Sequence, residues 1–269
     1  MAILAITKSH GSGGSEIGRK AADLLDYEFI SLKKILDNTK QAGGVWERFV
    51  SEYANEYPTI WDRNDWSFMG FMALLQSVIL NYAEQDNKVI MARGACALLK
   101  DIPHALRIRV TAPVEFRIQE VVRKEEQPLK TARLIIQEAD RAMQGTMSRL
   151  YGEDWNAPEN FELKFDTSRI IKAEIVEDIR KAIVEKEKLN TAEARRQLHL
   201  CAVAAQVKAG IATNPKVLVP TLEVKVDGNV IKLSGVVHSP REQNMIEKEA
   251  IKLALPERVT FAFNYRGSW

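Results

Sequence analysis

Short apolar runs alternate with stretches of helical period along the first two thirds of the chain. "AILAIT" (2–7), "KVIMA" (88–92), "RIRVTA" (107–112) and "LKFDT" (163–167) read as strands, and helical patterns follow them at 16–25, 94–100, 114–123 and 170–186. Near-continuous apolar strands, each followed by a helix, predict an α/β fold: a parallel sheet with helices on both faces. Pro113 suits the first turn of a helix, where its missing N–H costs nothing. Between the first two of these strands, residues 31–85 predict a long helical insertion rich in Trp and Arg, of the kind that covers a site. Its most apolar part, "WSFMGFMALLQSVILNYA" (66–83), is broken by Gln76 and Ser77. It falls short of the roughly 20 apolar residues of a membrane span and reads as a buried helix.

After residue 187 the pattern changes. "IVEKEKLNTAEARRQ" (183–197) is charged and helical, with Thr191 placed to cap a restarted helix that runs to about Gly210. "TLEVKVDGNVIKLSGVVHS" (221–239) then alternates apolar and polar residues around Asp227-Gly228-Asn229, a hairpin signal. Ser239 and Pro240 open a further helix, and "RVTFAF" (258–263) closes an α-β-β-α-β unit. The predicted domains are 1–187 and 192–269.

Composition narrows the reading. With 46% hydrophobic residues, 269 residues suffice for two packed domains. Lys and Arg number 38 against 36 Asp and Glu, so no global field favours nucleic acid or a membrane surface, and any anion site must be local. Cys96 and Cys201 lie far apart without zinc spacing, which fits a reducing compartment with both buried. No signal-peptide pattern opens the sequence, so a cytoplasmic location is expected. His104, His199 and His238 are isolated and suggest no metal site.

The candidate chemistry sits in "SHGSGGSEIG" (9–18), between the first strand and its helix. Gly11, Gly13 and Gly14 can turn backbone N–H groups onto an anion, aided by the helix N-terminus and the hydroxyls of Ser12 and Ser15. A standard phosphate loop, GxxxxGK[ST], adds a lysine. Here Ser15 and Glu16 stand about where that lysine belongs, and no Lys or Arg occurs between Lys8 and Arg19. Taken alone, the stretch fits either an anion site or a tight structural turn. His10 fits a phosphate donor or a solvated loop residue. In "WERFVSEYANEYPTIWDRNDW" (46–66), Arg48 and Arg63 are candidates for holding an acceptor phosphate among aromatic residues that otherwise pack helices.

Five segments, in order, resemble the cytidylate-kinase-like family of P-loop proteins: "GSGGSEIGRKAADLL", "KVIMARGACALL", "RVTAPVEFRIQEVV", "EADRAMQGTMSRLYGEDW" and "NFELKFDTSRI". The resemblance runs from Ala2 to about Val184. It implies a nucleoside monophosphate kinase fold, with ATP and Mg²⁺ held at Gly11, Ser12, Gly13, Gly14 and Ser15 and a basic lid over the transferred phosphate. It also implies that Arg93 faces the acceptor phosphate, that Arg117 lies near the nucleotide, and that Arg141 and Arg149 reach in from the lid beside Asp140. The chain departs from the family at Ser15, where a basic residue is usual, at Met143, where the lid carries an arginine, and at Cys96, where an acid is usual. Two functions stay open. One is a phosphotransferase moving phosphate from ATP to a nucleoside monophosphate or similar small acceptor, and the other is a catalytically degenerate relative that senses a nucleotide or binds a partner. Residues from about 192 to 266, through "LEVKVDGNVIKLSGVVHSPREQNMIEKEA", resemble a BON domain, which implies a dimerisation or regulatory module with a second copy or another protein as partner.

Overall fold

The computed structural model describes residues 2–40, 49–50, 53, 66–152, 154–155, 157–217 and 219–265, with backbone alone at Trp66, Arg149 and Pro158. In chain order the elements begin with β1 (Ile3–Lys8), α1 (Gly14–Leu25), β2 (Glu28–Ser31), α2 (Leu32–Lys40), α3 (Trp66–Ala83), β3 (Lys88–Met91) and α4 (Ala95–Leu98). Next come β4 (Ala105–Thr111), α5 (Val114–Glu125), α6 (Leu129–Tyr151), β5 (Leu163–Asp166) and α7 (Lys172–Glu187). The chain ends with α8 (Ala192–Ala212), β6 (Glu223–Asp227), β7 (Val230–Val237), α9 (Pro240–Ala254) and β8 (Val259–Tyr265). They form two compact units, Met1–Leu32 with Gln85–Ala194, and Lys33–Glu84 with Arg195–Trp269.

The first unit is the expected α/β layer structure. Its five strands are all parallel, in the order β2-β3-β1-β4-β5, with Ile3 of β1 opposite Lys88 of β3 and Ala105 of β4. As the central strand, β1 is covered on both faces, which is why "ILAI" needs no polar alternation. Leu4 and Ile6 pack with Ile17 and Ala21 of α1 and Ile175, Ile179 and Ile183 of α7. On the other face, Thr7 donates a 3.2 Å hydrogen bond to the Cys96 sulfur, and burial pushes the Cys96 thiol up to about 11. The expectation for Cys201 is corrected: it is partly exposed. Strand β2 is an element that the sequence pattern does not predict, lying just ahead of the insertion, which opens with helix α2 at Leu32. "EFIS" is a four-residue edge strand that buries Ile30 alone, and so short a run leaves no alternating pattern to read.

The second unit contains the expected α-β-β-α-β order as α8, β6, β7, α9 and β8. Its sheet is mixed, with β7 antiparallel to β6 and parallel to β8. The hairpin turns at Gly228, whose φ of 57° lies in the left-handed region that glycine enters without strain. Ser239 caps α9 by accepting from the Glu242 N–H at 3.2 Å. Ile231, Leu233 and Val237 are fully buried against Ile246 and Ala250 of α9 and Leu200 and Val207 of α8. The apolar stretch 66–83 is one buried-type helix, α3, whose Phe71, Leu75 and Ile79 are wholly covered. Among the described residues no helix is long and apolar enough to cross a membrane.

Leu233→Ala should cost about 2–5 kcal/mol of stability in urea unfolding, because it removes a fully buried side chain from this core. The exposed neighbour Lys232→Ala should stay within about 0.5 kcal/mol. Equal effects at both positions would contradict the described packing.

Candidate functional site

Between β1 and α1 the chain reverses over Ser9–Gly13, and that tight turn dictates the residue types. Gly11 and Gly13 have φ of 76° and 75°, a conformation that costs other residues about 1–2 kcal/mol. A Cβ on Gly11 would also lie 2.7 Å from the Arg117 carbonyl oxygen. Four carbonyls of the turn are already engaged. Ser9 O accepts from the Ser12 N–H (3.2 Å) and hydroxyl (2.7 Å), and His10 O accepts from Arg117 (3.3 Å). Ser12 O accepts from the Thr167 hydroxyl (2.9 Å), and Gly13 O from the Glu16 N–H (3.1 Å). By contrast, the N–H groups of Gly11, Gly13, Gly14 and Ser15 have no partner among the described residues. A concave set of free amides at a helix N-terminus is an anion nest.

These amides line a cavity of about 250 Å³ together with Lys8 and Lys124. The ammonium of Lys8, at the end of β1, has neither a hydrogen bond nor an ion pair among the described residues. Burial lowers its pKa most, the Arg93 charge lowers it further, and Glu125 opposes both. His10 is likewise lowered by burial and then by Lys8, although its ring lies 3.1 Å from Glu125. Glu16 is held down at about 2, first by its hydrogen bond to Lys172 and then by Lys20 at 3.1 Å. Cations thus stand beside the amides, with the carboxylates of Glu16, Glu120 and Glu125 lining the same cavity.

The structure brings Gly11, Ser12, Gly13, Gly14 and Ser15 together on this turn, with Arg93 near Lys8. The Ser12 hydroxyl is used inside the loop, whereas that of Ser15 faces the Met91 sulfur at 3.7 Å. Arg117 is almost wholly buried and bound on all sides: to Asp140 at 3.0 and 2.7 Å, to Ala112 O at 3.0 Å and to His10 O. It joins the loop, the end of β4 and α6. Arg141 is exposed on α6 and pairs with Glu138 at 2.7 Å. Arg48 and Arg63, and the side chain of Arg149, lie outside the described residues.

Sequence reading missed three groups. Lys8 lies one residue past the strand pattern 2–7, and Lys172 lies in the helical pattern 170–186, far from the loop in sequence. Arg109 sits 4.2 Å over the Trp155 ring in a second cavity of about 630 Å³ that also reaches Arg117 and Asp140. Burial lowers the Arg109 pKa to about 10.

The free amides and cations fit the phosphates of a nucleotide. They do not build a protein-held Mg²⁺ site, since Mg²⁺ favours carboxylate and phosphate oxygens and Ser15 faces a thioether. Among the described residues no group of three His, Cys, Asp or Glu is placed to hold an ion.

The Glu16 shift has a defined pH signature. A carboxylate with a lowered pKa contributes stability above its ordinary value near 4.5 and loses it as pH falls toward 2. In a carbon-detected NMR titration Glu16 should titrate near 2, and Lys172→Met should move that midpoint upward. An unshifted wild-type midpoint would remove the pairing from the site.

Residues 3–169 match the pattern of the cytidylate kinase-like family. An uncharacterised protein from Eubacterium ventriosum is 17% identical over 68% of this chain and 98% of its own, with a TM-score of 0.54, and so shares the fold. Shikimate kinase from Acinetobacter baumannii, solved with shikimate, is 16% identical over 69% of this chain and 94% of its own, with a TM-score of 0.42. No curated protein matches. Because the family pattern covers more than half of the sequence and its glycine turn is the nest described above, the chain belongs to the cytidylate kinase-like family.

Proposed function

We propose that this protein is a nucleotide-dependent phosphotransferase that moves a phosphoryl group from ATP to a nucleoside monophosphate or similar small acceptor. The observation that carries the reading is the set of unpartnered amides at Gly11, Gly13, Gly14 and Ser15, beside the buried Lys8 ammonium and in a chain of the kinase-like family. Phosphoryl transfer is mainly positioning and neutralisation of charge. In this reading the loop residues Gly11 to Ser15 hold the donor phosphates and Arg93 meets the acceptor phosphate. Arg141 and Arg149 act from α6. Arg48 and Arg63 are the acceptor-side candidates offered by the aromatic stretch 46–66. Arg117, bound to Asp140 and His10 O, fixes α6 against the loop. Mg²⁺ enters with the nucleotide on its phosphate oxygens. Residues 192–269 form the BON-like module, joined through the turn between α7 and α8, and take a second copy or a protein as partner. We infer the cytoplasm as the compartment from the two free cysteines.

A second reading, a nucleotide sensor without transfer, is favoured by one feature: Ser15 faces Met91, and no lysine follows Gly13 in the turn. The full-length protein, given γ-labelled Mg·ATP and a panel of monophosphates headed by CMP and dCMP, separates the two. Labelled diphosphate that disappears in Arg93→Ala supports transfer. ATP binding without product supports the sensor, and no ATP binding at all contradicts both.

A further inference from the structure

The turn carries no lysine of its own, yet two lysines reach it from other elements. Lys8 leaves β1 at the edge of the cavity, and its stem passes so close to the turn that a Cβ on Gly14 would sit 2.7 Å from the Lys8 Cβ. Lys172 opens α7 and arches over Gly13, its Cε 3.0 Å and its Nζ 3.4 Å from where a Cβ on Gly13 would stand. The Thr167 hydroxyl, bonded to Ser12 O at 2.9 Å, ties the segment that leads into α7 to the turn and fixes this approach.

We propose that Lys8 and Lys172 supply the positive charge absent from the loop itself, and that the Glu16 carboxylate is a built-in stand-in for a phosphate group, displaced by the polyphosphate of a nucleoside triphosphate. The proposal rests on the nucleotide-binding reading and names the groups that carry it. Its first support is that Lys8 faces the cavity and the free amides without a partner of its own among the described residues. A desolvated cation beside Arg93 is costly unless an anion arrives. The second support is convergence on Glu16: Lys172 and Lys20 bind its carboxylate, and Lys124, shared with Glu120 at 3.1 Å, stands 3.9 Å away. One carboxylate thus holds several lysines where α1 begins, which is where a phosphate on the loop amides would bring its oxygens. Glu16, Glu120 and Glu125 share the cavity with Lys8 and Lys124, so a phosphate chain gains its place by displacing Glu16 from Lys172 and Lys20, not from a net excess of positive lining.

The test is calorimetric titration of the full-length protein with ATP, ADP, AMP and inorganic tripolyphosphate. Lys8→Met and Lys172→Met should each weaken ATP binding at least tenfold. Glu16→Gln should tighten it several-fold, with the gain falling from ATP to AMP. Lys181→Met, on the exposed side of α7 and paired with Asp178, serves as the control and should bind like wild type. Thermal melts show whether each variant is folded. Should wild type bind ATP while the two lysine variants bind equally well and Glu16→Gln gains nothing, the proposal is overturned and the nucleotide reading stands. Binding by Glu16→Gln where wild type binds weakly or not at all supports the proposal. Absence of binding in both overturns the proposal and the nucleotide reading together. Tripolyphosphate binding equal to that of ATP assigns recognition to the phosphate chain, and loss of it in Lys172→Met supports the proposed role.

Discussion

Everything at this site depends on where the carbonyl groups of one turn point. Ser9, His10, Ser12 and Gly13 each have their carbonyl engaged by a donor, and two of those donors, Arg117 and Thr167, come from helix α5 and the end of β5. A turn with its acceptors engaged presents its donors, and only left-handed residues at 11 and 13 permit that geometry. The anion preference is therefore a property of the tertiary structure as much as of the glycines. Deep packing of β1 between its neighbours provides the rigid base that keeps the amides in place.

Charge is organised around the same turn. Arg117 is buried, pairs with the partly exposed Asp140 and spends its donors on structure, so it orders the site rather than meeting a phosphate directly. Lys8 and Lys172 stand close to the turn, and Glu16 balances the charge of Lys172 in the resting protein. A phosphate loop usually places its lysine in the loop sequence, where it is carried with the amides. Here the cations come from a strand end and from a helix 150 or so residues later, so their positions rest on the sheet order β1-β4-β5.

Much of the fold was legible because long-range features were written locally. Apolar runs at 2–7, 88–92 and 107–112 are the interior parallel strands β1, β3 and β4, and burial on both faces leaves that continuous signature in sequence, whereas 163–167 is the edge strand β5, in which Phe165 alone is buried. The Asp227-Gly228 turn and the Ser239-Pro240 start were readable because caps and turns demand particular residues. Strand β2 was not, since an edge strand of four residues buries too little to show a period. The five loop residues could be named from sequence, but the engagement of Arg117 with Asp140 and the arrival of Lys172 over Gly13 are tertiary facts with no local spacing rule. Arg109 over Trp155 was hidden for the same reason: an arginine inside an apolar strand reads as an interruption, and its partner lies 46 residues on.

The central claim is that the turn between β1 and α1 is an anion nest built from its backbone. The most direct measurement follows the amide proton and nitrogen shifts of Gly11, Gly13, Gly14 and Ser15 in the full-length protein as ATP is added. Downfield movement of these amide protons, saturating with ATP and larger than anywhere on α8 or α9, is the predicted result. Amides that stay in place while ATP binds elsewhere, or while no binding is detected, would contradict the account.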